Sequence, residues 1–256
     1  SFWSIGAGWN LHQEKFLKDN TVLNTLRLRA SMGPTGNQNF APYQGVTTYR
    51  YASGANYRGL LGAQLLGYGN EDLKWQTNFK KNIGIDVNLY SNRINFAADY
   101  YVDNTKDLIL GLNTPPSAGF SSFTANRGRM QNKGLEMRLN VGVIRDLEKN
   151  INWNVGITAT TIRNKILEIY PIPINDNPTD QQLRDNSRYV VGGSINDVWV
   201  IPSAGVDPAN GQELFLMPDG NYTYFPLPEY QIPLGNSLPK WQGSINTSFQ
   251  YKGFTL

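Results

Sequence analysis

The stretch KWQTNFKKNIGIDVNLYSNRINFAADYYVD, residues 74–103, decides how the rest of the chain is read. On its first arm Trp75, Phe79, Ile83, Ile85, Val87 and Leu89 share one parity, and Gln76, Asn78, Lys80, Asn82, Asp86 and Asn88 take the other. After Ser91-Asn92 the chain returns with Ile94, Phe96, Ala98, Tyr100 and Val102 set against Arg93, Asn95, Asp99 and Asp103. Side chains alternate faces along a strand, so this is a hairpin with one apolar face and one wet, charged face. Pairing across Tyr90/Arg93 predicts Leu89 beside Ile94, Val87 beside Phe96, Ile85 beside Ala98 and Ile83 beside Tyr100. A one-residue slip would turn every apolar side chain to the other face, so the register is strongly specified.

Six further segments alternate in the same way: 3–9, 26–33, 135–143, 151–159, 241–251 and a strand starting at Phe254. The connections between them are unequal. Segments 34–73, 104–132 and 164–239 read as long loops, whereas 90–93, 144–150 and Lys252-Gly253 read as short turns. This long–short alternation is the pattern of outer-membrane barrels, with short periplasmic turns and long extracellular loops. All 14 prolines fall in the three long loops, ten of them in 164–239, as expected of a residue that cannot donate to a ladder. Within 164–239, residues 195–201 and 211–217 are expected to pair as a small hairpin across Asp207-Pro208-Ala209-Asn210-Gly211.

Composition narrows the function classes. A net charge of +3 without a basic run gives no nucleic-acid footprint. With no Cys, disulfides and thiolate metal sites are excluded. No run approaches the eighteen apolar residues of a spanning helix, and mean hydropathy is −0.42. A barrel is compatible with that value, because its lumen-facing residues dilute hydropathy. The chain begins at Ser1-Phe2-Trp3 and stops at Leu256 inside strand-like patterns. It is therefore expected to be an internal fragment, all of 1–256 belonging to one barrel domain.

On the polar parity, Arg27, Arg29, Lys80, Asp86, Asp99, Glu136 and Arg138 would line a lumen filled by water or by a plug domain. In a soluble sandwich they would simply be solvated. Lys81 is the exception, since it shares parity with the apolar face. A Lys at mid-bilayer costs about 2–4 kcal/mol and close to nothing at the interface, so the bilayer rim is expected near Lys81 and Val102. Tyr100 then falls in an aromatic girdle, with Trp75 and Phe79 above the membrane. Trp9, Tyr90, Trp153, Trp241 and Tyr251 are further girdle candidates, the alternative for each being an ordinary core aromatic.

Several segments, in order, resemble one family. Leu26-Arg27-Leu28-Arg29-Ala30-Ser31-Met32-Gly33-Pro34-Thr35-Gly36-Asn37-Gln38 is similar to the LKLRASYGxTGNQ segment of SusC-like TonB-dependent transporters. Asn70 to Thr77 resembles NPDLKWExT, Asn82 to Asp86 resembles NIGID, and Asn92 to Leu108 resembles NRIxxxxDYYxxxTxDLL. Asn126 to Glu136 is similar to NxGxxxNKGxE; Gly205-Val206-Asp207-Pro208 and Pro239 to Phe254 follow in family order. Departures are Gln76 for the usual Glu, Met32-Gly33-Pro34 for a Tyr-Gly-Lys-like run, and Met130 where Val is common. The resemblance implies an all-β fold, an antiparallel transmembrane β-barrel of 22 strands in the Gram-negative cell outer membrane, with about eight strands in this chain. The plug domain, TonB box and signal peptide would lie elsewhere.

It also implies active import of oligosaccharides or peptides, energised through TonB and assisted by a SusD-like surface lipoprotein. Membrane lipid would surround the barrel. Loop aromatics Tyr43, Tyr49, Tyr51, Tyr57, Trp199, Tyr222 and Tyr224 are the candidate ligand-binding residues, because an aromatic face stacks on a sugar ring while a hydroxyl meets its edge. Packing of the loops on one another is the alternative for each.

No catalytic residue, cofactor or metal is expected. His12, the single histidine, falls in a turn without a partnering nucleophile. Asp99 and Glu136 lie on separate strands without a cleft signal, which argues against a glycosidase pair. Asn175-Asp176-Asn177-Pro178-Thr179-Asp180 carries oxygen ligands for calcium but lacks the glycine of an EF-hand loop. The competing functions are a passive outer-membrane channel and a soluble carbohydrate-binding β-sandwich. The sandwich predicts even strand spacing, which is not seen.

Overall fold

The computed structural model describes residues 2–38, 41–113, 122–146, 148–169, 189–227 and 230–256. Its strands begin with β1 (Ile5–Asn10), β2 (Leu23–Asn37), β3 (Thr48–Tyr57), β4 (Leu60–Gly67), β5 (Gln76–Leu89) and β6 (Ile94–Lys106). Next come β7 (Ile109–Asn113), β8 (Ser122–Asn126), β9 (Gly128–Asp146), β10 (Ile151–Ile169), β11 (Asp197–Val200) and β12 (Ser203–Val206). The chain finishes with β13 (Glu213–Leu216), β14 (Tyr222–Thr223), β15 (Ile232–Asn236), β16 (Gln242–Tyr251) and β17 (Phe254–Thr255).

Eight of them form one antiparallel sheet in the order β1-β2-β5-β6-β9-β10-β16-β17. Each long strand therefore pairs with the next long strand along the chain, and the remaining strands form small sheets in the long connections. The β5–β6 ladder has the register expected from alternation: Leu89 faces Ile94, Val87 faces Phe96, Ile85 faces Ala98, Ile83 faces Tyr100 and Lys81 faces Val102. Its turn places Tyr90, Ser91 and Asn92 at positive φ, with the Arg93 N–H donating to the Tyr90 carbonyl at 3.2 Å. The β16–β17 turn needs positive φ at both central residues to match strand twist, and Lys252 and Gly253 supply it at 43° and 92°.

The long strands run further than their alternation suggested. β2 continues through Pro34 to Asn37, and Pro233 lies within β15, so proline is not excluded from every strand. Pro34 is tolerated because the β1 ladder on that side stops at Ile5↔Met32, leaving the missing N–H beside a local edge. None of the three long loops is irregular throughout. Segment 34–73 contains the β3–β4 hairpin and 104–132 the β7–β8 hairpin. In 164–239 the turn at Asp207–Gly211 is as expected, but its first arm is β12, at 203–206. Residues 197–200 pair with β15 instead.

The apolar parity of the sheet is uncovered. Ile83 is 63% exposed and Ile245 77% exposed, and Trp9, Leu28, Tyr100, Ile157 and Phe249 on the same parity are exposed as well. In a sandwich those side chains would form the interior. Instead the described buried apolar residues are Leu108, Leu110, Ala125, Met130 and Ile166, all at the long-loop end. They form a plinth for the loops, while the sheet itself is a single layer. Such a layer is stable only where its apolar face meets another apolar phase.

Candidate lumen wall and loop surface

The opposite parity carries an ion-paired lattice. Arg29 on β2 faces Gly84 on β5, and its guanidinium lies across the space that a side chain there would fill. Its Nε donates to Asp86 at 2.7 Å, and its Nη2 donates to Asp86 at 3.1 Å and to Asp99 at 3.0 Å. One cation thus ties β2, β5 and β6 together. A Cβ on Gly84 would collide with Asp99 Oδ1 and with the Arg29 guanidinium, so the glycine of the Asn82–Asp86 motif exists to let them meet. Asp99 also lies directly opposite Glu136 on β9, and Lys80 stands 3.9 Å from Asp103.

Two grooves open over this lattice. One of about 920 Å³ is lined by Arg29, Lys80, Asp99, Asp103 and Glu136, and one of about 550 Å³ by Asp86, Glu136 and Arg138. Asp99 is committed to Arg29, so it is not free to serve as half of a carboxylate pair for catalysis. His12 lies in a 3-10 turn, Leu11–Gln13, with Nδ1 3.3 Å from the Leu26 carbonyl. Among the described residues no group of three or more His, Asp or Glu could hold a metal. The Asn175–Asp180 segment lies outside the described residues.

The loops are clamped to one another by a residue the sequence reading did not single out. Asn126 donates through Nδ2 to the carbonyls of Lys74 at 2.8 Å and Asp107 at 2.7 Å, while its Oδ1 accepts from the Lys74 N–H at 2.8 Å. Asn70 adds a bond to the Thr124 carbonyl at 3.0 Å. The first residue of the Asn126–Glu136 motif was the available signal. Asn164 plays the same part on β10, its Oδ1 accepting from Ser194 Oγ at 3.0 Å and the Ile195 N–H at 2.9 Å.

Five of the seven loop aromatics fall on three separate small sheets, with Tyr43 and Tyr224 just outside them. Tyr43, in the turn before β3, is 80% exposed, and Tyr49 and Tyr51 on one face of β3 are 67% and 77% exposed. All three rings stand largely clear of the other described residues. The side chain of Tyr57 lies outside the described residues. Tyr222 on β14 is exposed, whereas Trp199 on β11 is half-buried, opposite Pro233. Tyr224 is pinned: its hydroxyl donates to Asp207 Oδ2 at 2.5 Å, closing the β12–β13–β14 sheet. None of the grooves described above is lined by any of the seven.

That hydrogen bond, with a second from the Ala209 N–H, holds the Asp207 carboxyl below its usual range. A depressed carboxylate adds stability above its ordinary value of about 4, and the stability is lost as pH falls through the lower folded value. Once the intrinsic pH dependence of exchange is divided out, amide protection at Gly211 and Gln212 is therefore expected to fall on acidification below about pH 4 in the wild type. Asp207→Asn should abolish that dependence, read by hydrogen–deuterium exchange.

The expected girdle aromatics sort to the two ends of the strands. Trp9 ends β1, Tyr90 is in the β5–β6 turn, Trp153 opens β10 and Tyr251 ends β16, all beside short connections. Tyr100 and Trp241 lie toward the long loops. From Trp153 to Arg163, about 3.4 Å per residue at a tilt near 40° gives a rise of about 26 Å, the height of an apolar barrel belt.

A single-layer antiparallel sheet with an uncovered apolar face, a charged opposite face and aromatics at both rims defines a transmembrane β-barrel wall. The family profile described as TonB dependent receptor-like, beta-barrel matches residues 1–255, and the chain belongs to that family. Its home is the outer membrane of Gram-negative bacteria, and the family is one of receptors and transporters rather than enzymes. TonB-dependent receptor P3 of Formosa agariphila is 28% identical over all of this chain, which covers 27% of that protein. TonB-dependent receptor SusC of Bacteroides thetaiotaomicron is 27% identical over 99% of this chain and 26% of its own length. The RagAB peptide importer in its closed-closed state superposes with a TM-score of 0.80 at 23% identity, over 99% of this chain and 28% of that one. The chain thus spans about a quarter of the length of these relatives.

Proposed function

We propose that the protein containing this chain imports oligosaccharides or peptides across the outer membrane, energised through TonB and assisted by a SusD-like surface lipoprotein. The observation that carries the reading is the sheet itself, with lipid-ready residues on one side and the Arg29–Asp86–Asp99 lattice on the other. A passive channel has the same wall, but family membership favours energised import. In this reading residues 1–256 form part of one barrel domain, whose lattice faces a lumen and a plug. The exposed Tyr43, Tyr49, Tyr51 and Tyr222 are the ligand-facing aromatics, while Trp199 and Tyr224 hold their loops in shape. The peptide named for RagAB and the glycan chemistry suggested by exposed tyrosines keep both substrate classes in view.

The test is growth and uptake on defined glycan and peptide mixtures, in a strain lacking the gene and in the same strain carrying the full-length protein. Uptake should require both this gene and TonB, and the protein should copurify with a lipoprotein encoded beside it. A triple Tyr49→Ala, Tyr51→Ala, Tyr222→Ala variant should weaken uptake by at least about tenfold, as expected for losing three stacking contacts of about 0.5–1.5 kcal/mol each. Uptake that persists without TonB would overturn the reading in favour of a passive channel.

A further inference from the structure

Lys81 is not alone on the lipid-facing parity. The sheet register runs Lys81↔Val102↔Lys133↔Arg163 across β5, β6, β9 and β10, and Lys165 follows Arg163 on the same face. All four cations are exposed, and none makes an ion pair among the described residues. Lys81 rests 5.7 Å from the Phe79 ring centroid and has no carboxylate partner among the described residues. Unpaired charge on a lipid-facing surface is costly unless the surrounding phase supplies the counterion.

The row leads into a groove of about 640 Å³ where β9 and β10 meet the residues leading into β16. Lys133, Arg163 and Lys240 line it together with Tyr100, Leu135 and Trp241. Its one carboxylate, Asp197, is already committed, accepting from the Ser194 N–H at 2.7 Å and from Asn236 Nδ2 at 3.0 Å. The groove therefore offers three cations without an ion pair among the described residues, above an apolar floor. It lies at the long-loop end, where the outward leaflet's headgroups meet the barrel.

We propose that this groove holds a phosphate-bearing lipid of the outer leaflet. Its phosphates would meet Lys133, Arg163 and Lys240, and its acyl chains would descend over Leu135, Tyr100 and Trp241. The pairing is chemically matched. A guanidinium fork takes phosphate oxygens two at a time, ammonium groups add point charge, and the apolar belt continues below the groove. Lys81 and Lys165 would extend the same contact to neighbouring headgroups.

The experiment uses the full-length protein extracted in detergent and reconstituted with lipid A, with retained lipid counted by mass spectrometry after washing. A Lys133→Ser, Arg163→Ser, Lys240→Ser variant should retain about tenfold less lipid A, three charge-assisted contacts having been removed. Its barrel formation is checked by the heat-dependent gel mobility of folded barrels. Lys133→Arg should retain lipid as the wild type does, whereas Arg163→Lys should lose part of it because an ammonium cannot take two phosphate oxygens at once. Lys240→Ser, outside the strands, should also lower retention and decides the matter if the triple variant does not fold, undiminished retention there counting against the proposal. Phosphatase-treated lipid A should be retained poorly by wild type and variant alike, and inorganic phosphate should not displace lipid A. Undiminished retention by the triple variant, or equal retention of dephosphorylated lipid, would overturn the proposal. Displacement by inorganic phosphate would reassign the groove to free anions.

Discussion

Ile157→Arg is expected to destabilise the full-length barrel in lipid by about 2–4 kcal/mol, while Thr160→Arg should change stability by less than about 0.5 kcal/mol. The two positions are three residues apart on β10 and point to opposite sides. Ile157 stands between Leu139 and Ile245, near the middle of the span from Trp153 to Arg163. An arginine there has only hydrocarbon to meet, and its side chain is too far from either rim to reach water cheaply. Thr160 stands opposite Glu136 and Gln242 on the charged side, where an added guanidinium meets a carboxylate and solvent. Urea unfolding in lipid vesicles, followed by tryptophan fluorescence, reads both numbers. Equal costs at the two positions would mean that the exposed apolar parity does not face the bilayer.

The contrast rests on a periodicity that was legible without coordinates. In β5 and β6 the alternation is nearly unbroken and the turn is short, so parity and register follow from the residue list alone. The same reasoning truncated β2, because Pro34 reads as a strand breaker. It ceases to be one where the neighbouring ladder has already ended, and a single strand's sequence says nothing of its neighbour's length. The hairpins inside the long loops were missed for a related reason. Tyr49, Tyr51 and their partners Leu65 and Ala63 show no wet face against a dry one, since both faces of β3–β4 meet solvent. Without a buried side, period-two patterning has nothing to enforce it.

The site was legible only in outline. Alternation assigned Arg29, Asp86 and Asp99 to one face, but not that one guanidinium would serve both carboxylates. That depends on Gly84 standing between them, a cross-strand relation fixed by register. The seven loop aromatics were chosen by residue type, which does not distinguish a ring offered to solvent from one whose hydroxyl is tied down. Tyr224 and Tyr222 are two residues apart, yet Asp207 claims only the former. The basic groove was foreshadowed by Lys81 alone. Lys133 and Arg163 join it through pairings that only the sheet displays, and Lys240 through the fold-back of the last long loop.

Arg29→Met is expected to cost about 1–3 kcal/mol, well above an ordinary surface ion pair and below a fully buried one. The partial exposure of Arg29, Asp86 and Asp99 sets that intermediate scale. The loss comes less from the missing attraction than from what remains. Asp86 and Asp99 would stand on adjacent strands without their shared cation, and Asp99 already faces Glu136 directly. Like charges opposite one another across a ladder repel. Among the described residues Asp99 Oδ1 is moreover a buried oxygen with no hydrogen-bond partner, so Asp99 depends on Arg29 for its compensation. Adding Asp99→Asn to Arg29→Met should therefore restore about 1 kcal/mol, a coupling that only interacting residues show. Gly84→Ala tests the same bridge sterically, since it keeps every charge but wedges a methyl between Arg29 and Asp99. The cost of Arg29→Met should fall as salt screens the uncompensated carboxylates, whereas that of Gly84→Ala should stay unchanged, because a clash is indifferent to ionic strength. A cost below about 0.5 kcal/mol for Arg29→Met would identify the three-strand bridge as a solvated surface pair, and the lattice would then shape the lumen's charge without bracing the wall.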